Sequence, residues 1–304
     1  MKKLFLFAAI LGTCVFTSCK DSDEIATSTD VIDNTEAQEA VNETAQAAAE
    51  ENAAQALADA AETANAEEGD AVNLTVSGGE VSGTVESKTV EGNTTTVVVN
   101  GDDGEKYTQT TTVEEQKDEA TGVTTQTQTQ ETKNSDGEVV GKKTTTATSS
   151  TRENRNRETT TAVTTTTTTT TTKDVDGNTV VSEVTTTTEE EYSYEYVVDG
   201  QTYTTLADLQ AALRRLRPGE TYTVTVTLVQ TITETTTSVD EKGQVTTDTK
   251  TKQEKSQPVV STITVTDTAA QGTVAKPVDF DGNTKETTVV ATKDQNTHSG
   301  GQGR

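Results

Sequence analysis

Threonine constrains this chain more than any other residue type. It recurs through most of the 304 residues and fills the whole segment 164–172. Threonine is β-branched and favours strands, whereas acidic disordered chains are enriched in Pro, Ser, Glu and Gln. Only three prolines occur, and only 30% of the residues are hydrophobic. Strands can therefore form, but there is too little apolar material to fill a large core.

Turn signals divide the region after Gly69 into long polar segments. Asp-Gly and Asn-Gly pairs supply the positive φ that tight hairpins need. The signals lie at residues 91–93, 100–104, 120–122, 135–137, 176–178, 198–200, 241–243 and 281–283. They predict a mainly β fold over residues 70–293, in which a meander of long antiparallel strands forms an elongated sheet. Threonine occupies both faces of many strands, so we expect solvent on both faces and a weakly specified register.

One segment has the pattern of a small apolar core. Leucines at helical spacing lie between two strands with alternating apolar residues, and Thr205 precedes them as a candidate N-cap. We expect a β-helix-β unit over residues 189–233, with the helix covering both strands. The predicted core residues are Tyr192, Tyr194, Tyr196, Leu206, Leu209, Leu213, Leu216, Tyr222, Val224, Val226 and Leu228.

The same segment resembles part of a known domain family. Val198-Asp199-Gly200-Gln201, the leucine helix and Arg217-Pro218-Gly219-Glu220 are similar to the C-terminal part of bacterial PDZ domains, over residues 197–229. The resemblance implies a strand, a helix and a strand in that order. No Gly-Leu-Gly-Phe-like carboxylate-binding loop precedes it, so a structural unit is favoured over peptide binding.

The segment 36–68 is rich in alanine and contains neither Gly nor Pro, which favours a helix. Its apolar residues besides alanine are Val41 and Leu57, without a sustained heptad. We therefore predict a solvated helical stalk, with a weak coiled coil as the alternative. A polar, flexible tether is predicted before it, over residues 19–35.

The N-terminus carries a targeting pattern. Met1-Lys2-Lys3 precedes an apolar run over residues 4–16, too short to span a bilayer, and Thr17-Ser18-Cys19 follows. Residues 1–18 resemble a bacterial lipoprotein signal peptide, which implies lipidation of Cys19 and anchoring in the outer membrane. An ordinary secretory signal cleaved nearby is the alternative.

The residues after the cysteine resemble the export signal of Bacteroidetes-type surface lipoproteins. This resemblance rests on Lys20, Asp21, Asp23 and Glu24. It implies that the anchored protein faces the cell exterior. The net charge of −26 argues against nucleic acid and anionic membrane surfaces as partners, because both repel an acidic protein.

No catalytic pattern is found in the sequence. The single histidine, His298, lies in a Gly-rich tail that we predict to be disordered over residues 294–304. There is no phosphate-binding loop and no nucleophile elbow. Lipidation would leave no thiol for chemistry, since Cys14 is removed with the signal. We expect no enzymatic activity, no cofactor and no dedicated metal site.

Two nearly identical hexapeptides occur at residues 174–179 and 279–284. Their paired carboxylates make Asp174, Asp176, Asp279 and Asp281 weak calcium candidates, although further ligands are missing at the spacing that an EF-hand needs. Hairpin turns are the favoured interpretation.

Two further surface features carry hypotheses. Asp267-Thr268-Ala269 resembles the triplet that Bacteroidetes-type bacteria O-glycosylate, which makes Thr268 a possible glycosylation site. Residues 152–158 form the one locally basic stretch. We interpret it as a polar turn or strand edge, with contact to anionic polysaccharide as the alternative.

Together these features predict a non-enzymatic, lipid-anchored envelope protein with a structural or adhesive role. Its expected partners are a surface glycan or neighbouring copies that pair through exposed sheet edges. One alternative is a peptide- or glycan-binding module centred on residues 192–228, which requires exposed tyrosines. Another is an ice-binding-like threonine array, formed by Thr127 and Thr129 or by Thr223, Thr225 and Thr227.

Overall fold

The computed structural model describes residues 31–174 and 176–292. The predicted signal peptide, the lipidation residue Cys19, the export signal and the tail with His298 lie outside the described residues.

The described chain forms one curled antiparallel sheet of 15 strands, which confirms the prediction of a mainly β meander. β9 has 20 residues and β11 has 19, well above the usual strand length. The strands are β1 (Ile32–Asp33), β2 (Ala71–Val76), β3 (Gly79–Glu91), β4 (Thr94–Gly101), β5 (Lys106–Asp118), β6 (Val123–Lys133), β7 (Val139–Asn154), β8 (Thr159–Lys173), β9 (Thr179–Val198), β10 (Gln201–Tyr203), β11 (Thr221–Val239), β12 (Val245–Lys255), β13 (Val259–Val265), β14 (Ala269–Pro277) and β15 (Thr284–Thr292).

Strand order follows the sequence from β2 to β9. β11 then pairs with β9 on one edge and with both β12 and β13 on the other. β14, β15 and β1 complete the sheet, and β10 pairs with the end of β9. Because the sheet curls, β2 returns across it, and Gly78 N donates to the Lys173 carbonyl at 3.0 Å.

Within residues 31–174 and 176–292, three helices accompany the sheet: α1 (Thr35–Ala60), α2 (Glu62–Asn65) and α3 (Leu206–Leu213). We call the face of the sheet on which α1 lies the inner face, and the opposite face the outer face. β1 also falls within residues 19–35, so the end of the predicted tether belongs to the fold.

The Ala-rich helix is confirmed, but its interpretation as a solvated stalk is wrong because one stripe of it is buried. The buried residues are Ala37, Val41, Ala45, Ala49, Ala53 and Leu57. Each lies four residues after the last, and a step of four advances about 40° around a helix of 3.6 residues per turn. The stripe therefore winds around α1, which explains the absence of a heptad and suits a helix lying within a curled sheet.

Polar residues of the inner face bind α1 directly. Thr164 Oγ1 donates to the Ala49 carbonyl at 3.0 Å, and Gln130 Nε2 donates to the Ala60 carbonyl at 2.9 Å. Both Thr164 and Gln130 are at most 5% exposed. The expectation of solvent on both faces is therefore wrong for the part of the inner face that α1 covers.

The predicted core residues are buried, except that Leu216 and Tyr222 are only half-buried. Thr205 caps α3, since its side chain accepts from Asp208 N. The cluster extends beyond the predicted unit, because α1 and strands β13 to β15 pack against it. A second cluster, centred on Leu74 and Val99, joins strands β2 to β5.

All eight predicted turn signals contain a glycine with positive φ, which confirms them. These are Gly92, Gly104, Gly122, Gly137, Gly177, Gly200, Gly243 and Gly282.

The packing of α1 yields a stability prediction. Ala45 is fully buried, so Ala45→Leu should overpack the contact and lower the free energy of unfolding by about 1–3 kcal/mol. The exposed Ala47 provides the matched control, and Ala47→Leu should change it by less than about 0.5 kcal/mol. Urea denaturation measures both. Equal effects of the two variants would contradict the packed position of α1.

Candidate functional site

Lys276 is the centre of a buried charged cluster. Residues of β14 alternate between faces, so Lys276 points to the same side as the buried Val274 and is 0% exposed. Its Nζ donates to Asn34 Oδ1 at 2.7 Å and to Glu158 Oε2 at 3.4 Å. It also lies 3.9 Å from the centre of the Tyr194 ring. The ammonium is thus surrounded by one amide, one carboxylate and an aromatic face.

Glu158 reaches this cluster from the tight turn between β7 and β8. Its φ is 50°, an uncommon conformation for a residue other than glycine. The carboxylate accepts from Leu206 N at 2.7 Å and from the Tyr196 hydroxyl at 2.8 Å. Leu206 is the first residue of α3, so the N-terminal end of that helix also favours the negative charge. The carboxylate is thereby held by β9, α3 and β14 together.

Asn34 comes from the N-cap of α1. Asparagine is favoured at this position because its side chain usually accepts from the first backbone N–H groups of the helix. Here the side chain makes no capping hydrogen bond, and its Oδ1 accepts from Lys276 instead. Asn34 therefore links the start of α1 to β14.

The surroundings of the cluster are largely apolar and aromatic. Tyr194 and Tyr196 have ring centroids 5.9 Å apart, and the Tyr194 hydroxyl donates to the Pro277 carbonyl at 3.0 Å. Burial, together with the charge of Glu158, raises the pKa of both tyrosines. Burial lowers the pKa of Lys276 to about 8, although Glu158 opposes this shift. The lysine can therefore lose its proton far more readily than one in water.

A second buried carboxylate, Glu190, lies further along β9. It accepts from Asn52 Nδ2 at 2.6 Å and from the Tyr192 hydroxyl at 3.0 Å, and so binds the middle of α1. All three tyrosines of β9 are at most 2% exposed and use their hydroxyls internally. They line no open ligand site in this conformation, which removes the support for a binding module at residues 192–228.

The outer face carries two parallel rows of threonines. Each row crosses the same six strands, from β6 through β7, β8, β9 and β11 to β12, with one threonine on each strand. The first row is Thr127, Thr146, Thr167, Thr185, Thr237 and Thr247. The second is Thr125, Thr148, Thr165, Thr187, Thr235 and Thr249.

Hydroxyls in these rows bind each other across strands. The Oγ1 atoms of Thr167 and Thr185 are 3.1 Å apart, and those of Thr237 and Thr247 are 3.3 Å apart. Neighbouring strands are about 4.8 Å apart, and the two rows, two residues apart along each strand, are separated by about 6.8 Å. The outer face therefore presents a regular lattice of hydroxyl and methyl groups.

The predicted array residues divide into two groups. Thr127 lies in the first row, and Thr129 begins a neighbouring one by pairing with Thr144. Thr223, Thr225 and Thr227 do not form an array. Thr225 lies between Val197 and Val260, and Thr227 pairs with Glu195.

The weak calcium candidates lie in hairpin loops. Asp174 accepts through Oδ1 from Asp176 N and Asn178 N, and through Oδ2 from the Asn178 side chain. Hydrogen bonds from Asn178 lower its pKa. Asp279 makes equivalent bonds with Asp281 and Asn283. The carboxylate of the first aspartate in each loop is therefore already occupied by hydrogen bonds within that loop. Among the described residues, no group of three or more His, Cys, Asp or Glu side chains could hold a metal.

The remaining surface predictions fall on turns. Thr268 is exposed between β13 and β14, where a glycosyl group could reach it. Residues 155–158 connect β7 and β8, and Arg155 forms an exposed ion pair with Glu153. The turn contributes Glu158 to the interior, which the polar pattern did not indicate.

Comparison with known proteins identifies no relative. No family model matches the chain, and searches of curated proteins and of solved structures return no significant match. Within residues 31–174 and 176–292, none of the helices is long and apolar enough to cross a membrane.

The buried cluster yields a matched pair of variants. Glu158→Gln leaves the charge of Lys276 without its counter-charge, and loss of one member of a buried pair costs about 3–5 kcal/mol. Glu153→Gln in the same hairpin removes an exposed pair worth less than about 1 kcal/mol. Chemical denaturation of both variants tests this difference. A Glu158 variant no less stable than its Glu153 control would show that the cluster contributes little to the fold.

Proposed function

We propose that this protein is a non-enzymatic, lipid-anchored component of the bacterial outer membrane that faces the exterior and has a structural or adhesive role. The observation that carries the adhesive part is the pair of threonine rows on the outer face. The anchoring part is supported by the lipoprotein-like pattern that ends at Cys19.

The rows suit contact with a hydrated surface. They form a strip without charged side chains on a protein whose net charge is −26. Cross-strand hydrogen bonds hold most of these hydroxyls in defined positions, so little side-chain entropy is lost on contact. Hydroxyl rows can exchange hydrogen bonds with the hydroxyls of a polysaccharide, and the intervening methyl groups can pack on the apolar faces of sugar rings. A surface glycan is therefore the proposed partner.

Anchoring and display can be tested on cells. Cys19→Ala should release the protein or leave it unprocessed, because attachment depends on the acyl chains. Changing Asp21, Asp23 and Glu24 together to Ala should keep the protein membrane-bound but inaccessible to protease on intact cells. Surface shaving followed by immunoblotting measures both results. If protease removes the triple variant from unbroken cells as fast as the parent, the export-signal part of the proposal is wrong.

The threonine rows also favour a second candidate, an ice-binding-like surface. Ordered hydroxyl and methyl groups at two regular spacings are the feature that such a surface requires. The curl of the sheet works against it, since a crystal face is flat. Thermal hysteresis of the purified protein at high concentration separates the two candidates, because glycan adhesion predicts none.

One strand offers a matched test of the adhesive face. Thr165→Val with Thr167→Val removes two hydroxyls from the outer rows while keeping the β-branched shape. Thr166→Val with Thr168→Val makes the same change on the inner face of β8. Retention of expressing cells on polysaccharide-coated surfaces should fall for the outer pair and stay unchanged for the inner pair. Equal retention of both variants would remove the threonine rows from the proposed function.

A further inference from the structure

We propose that Lys276 and Asn34 become joined by an intramolecular amide bond between Nζ and Cγ, with release of ammonia, and that Glu158 carries the proton in this reaction. The proposed bond is a covalent modification that closes the fold between the start of α1 and the end of β14.

The geometry brings the three reacting groups together. Lys276 Nζ lies 2.7 Å from Asn34 Oδ1, which places the amine beside the amide carbon one bond away. Glu158 Oε2 lies 3.4 Å from the same Nζ, within reach for proton transfer. Asn34 makes no capping hydrogen bond that would have to be broken first. Groups held at such distances react as if at a very high effective concentration.

The reaction balances without an oxidant or a cofactor. Glu158 takes a proton from the Lys276 ammonium, and the neutral amine attacks Cγ of Asn34 to form a new C–N bond. Protonated Glu158 then gives its proton to Nδ2, the bond from Cγ to Nδ2 breaks, and the nitrogen leaves as ammonia. That transfer regenerates the Glu158 carboxylate, and the second proton on Nζ passes to the released ammonia, which departs as ammonium. One ammonium group and one primary amide become one secondary amide and one ammonium ion, so the linked chain is lighter by one ammonia than the uncharged reactants.

The environment favours this outcome. Lys276 is fully buried and Glu158 is 12% exposed, so water has little access to compete as the nucleophile. Burial also lowers the pKa of Lys276 to about 8, which makes the neutral amine available. Hydrogen bonds from Leu206 N and the Tyr196 hydroxyl fix Glu158 in place before the reaction. Such preorganisation reduces the barrier, because the groups need not reorient as charge moves.

The position of the bond gives it a mechanical role, and this part of the inference rests on the proposed anchoring. A pull from a lipidated Cys19 would enter the fold at β1, which has only two residues and lies at the sheet edge. A two-residue strand at a sheet edge is held by few hydrogen bonds, so a small force separates it from its neighbour β15. A bond at Asn34 would transfer the load to β14 before α1 could detach. It would also close a loop with a sequence separation of 242 residues.

Peptide mapping of the folded full chain tests the bond directly. Trypsin cleaves after Lys20 and Lys88, and after Lys255 and Lys285, but not between Lys276 and Pro277. The parent protein should yield segments 21–88 and 256–285 as one joined species, lighter than their sum by one ammonia. Fragmentation should locate the link at Asn34 and Lys276. Recovery of the two segments only as separate, unmodified peptides from the parent would overturn the proposal and leave a non-covalent ion pair.

Three variants assign the roles. Lys276→Arg keeps the positive charge but removes the amine, so the joined species should be lost completely. Lys285→Arg changes the residue paired with Lys276 on β15 and should leave the yield unchanged. Glu158→Gln should form the bond at least tenfold more slowly, and an undiminished rate would overturn its role as proton carrier. Circular dichroism confirms that each variant is folded, and none of these results depends on where the protein lies in the cell.

Discussion

The contact between α1 and the inner face is the interaction on which the rest of the structure depends. A sheet with threonine and glutamine on its inner face cannot be covered by a helix rich in leucine, because the polar side chains would lose their hydrogen bonds. Alanine allows the helix backbone to approach closely, and helix carbonyls can then accept hydrogen bonds from the sheet, as those of Ala49 and Ala60 do. The first half of the helix belongs to the larger apolar cluster, and Ala53 and Leu57 form a small cluster of their own with Ala147 of β7. Without α1, the polar part of the inner face and the apolar residues that pack against the helix would be exposed to water.

Features that depend on neighbouring residues could be predicted from the sequence, whereas contacts between residues distant in the sequence could not. Strands and turns depend on local preferences, so the meander and all eight glycine turns were predictable. The helix was predictable as well, but its partner was not, because a stripe of alanines with i, i+4 spacing resembles a weakly amphipathic stalk. Alternation on β14 places Lys276 on the face of Val274, which could have marked it as an unusual inward lysine. Nothing local indicates that Asn34 and Glu158 meet it across sequence separations of 242 and 118 residues.

Hydrogen bonds within the loops specify the register of the threonine strands, because the equivalent threonine side chains do not. Three loops at one end of the sheet begin with Asn134, Asp174 and Asp240, and the side chain of each accepts from the backbone N–H groups two and four residues later. In each loop the first N–H also donates to the carbonyl of the fifth residue. These bonds fix which residues of the flanking strands face each other. Strands that would be equally stable after a shift of two residues are therefore held in one register.

Charged side chains disfavour pairing of another sheet with the edge strand β12. Among the described strands β12 pairs only with β11, so none of them covers its other edge. Lys250 and Lys252 lie on this strand with Asp248 and Glu254 beside them, and their ion pairs are exposed. Charged side chains on an edge disfavour pairing with another sheet. This arrangement argues against assembly through β12 and leaves the outer face as the better surface for contact.

The buried cluster around Lys276 specifies the register of the C-terminal strands. A buried ion pair contributes little net stability compared with an apolar substitute, but it penalises every arrangement that leaves one member unpaired. A slip of β14 by one residue would turn Lys276 outward and leave Glu158 without its cation. The cluster thus selects one register for the C-terminal strands, where the apolar pattern is short. An amide bond between Lys276 and Asn34 could form only in that register, so its formation would make the choice permanent and keep α1 on the inner face.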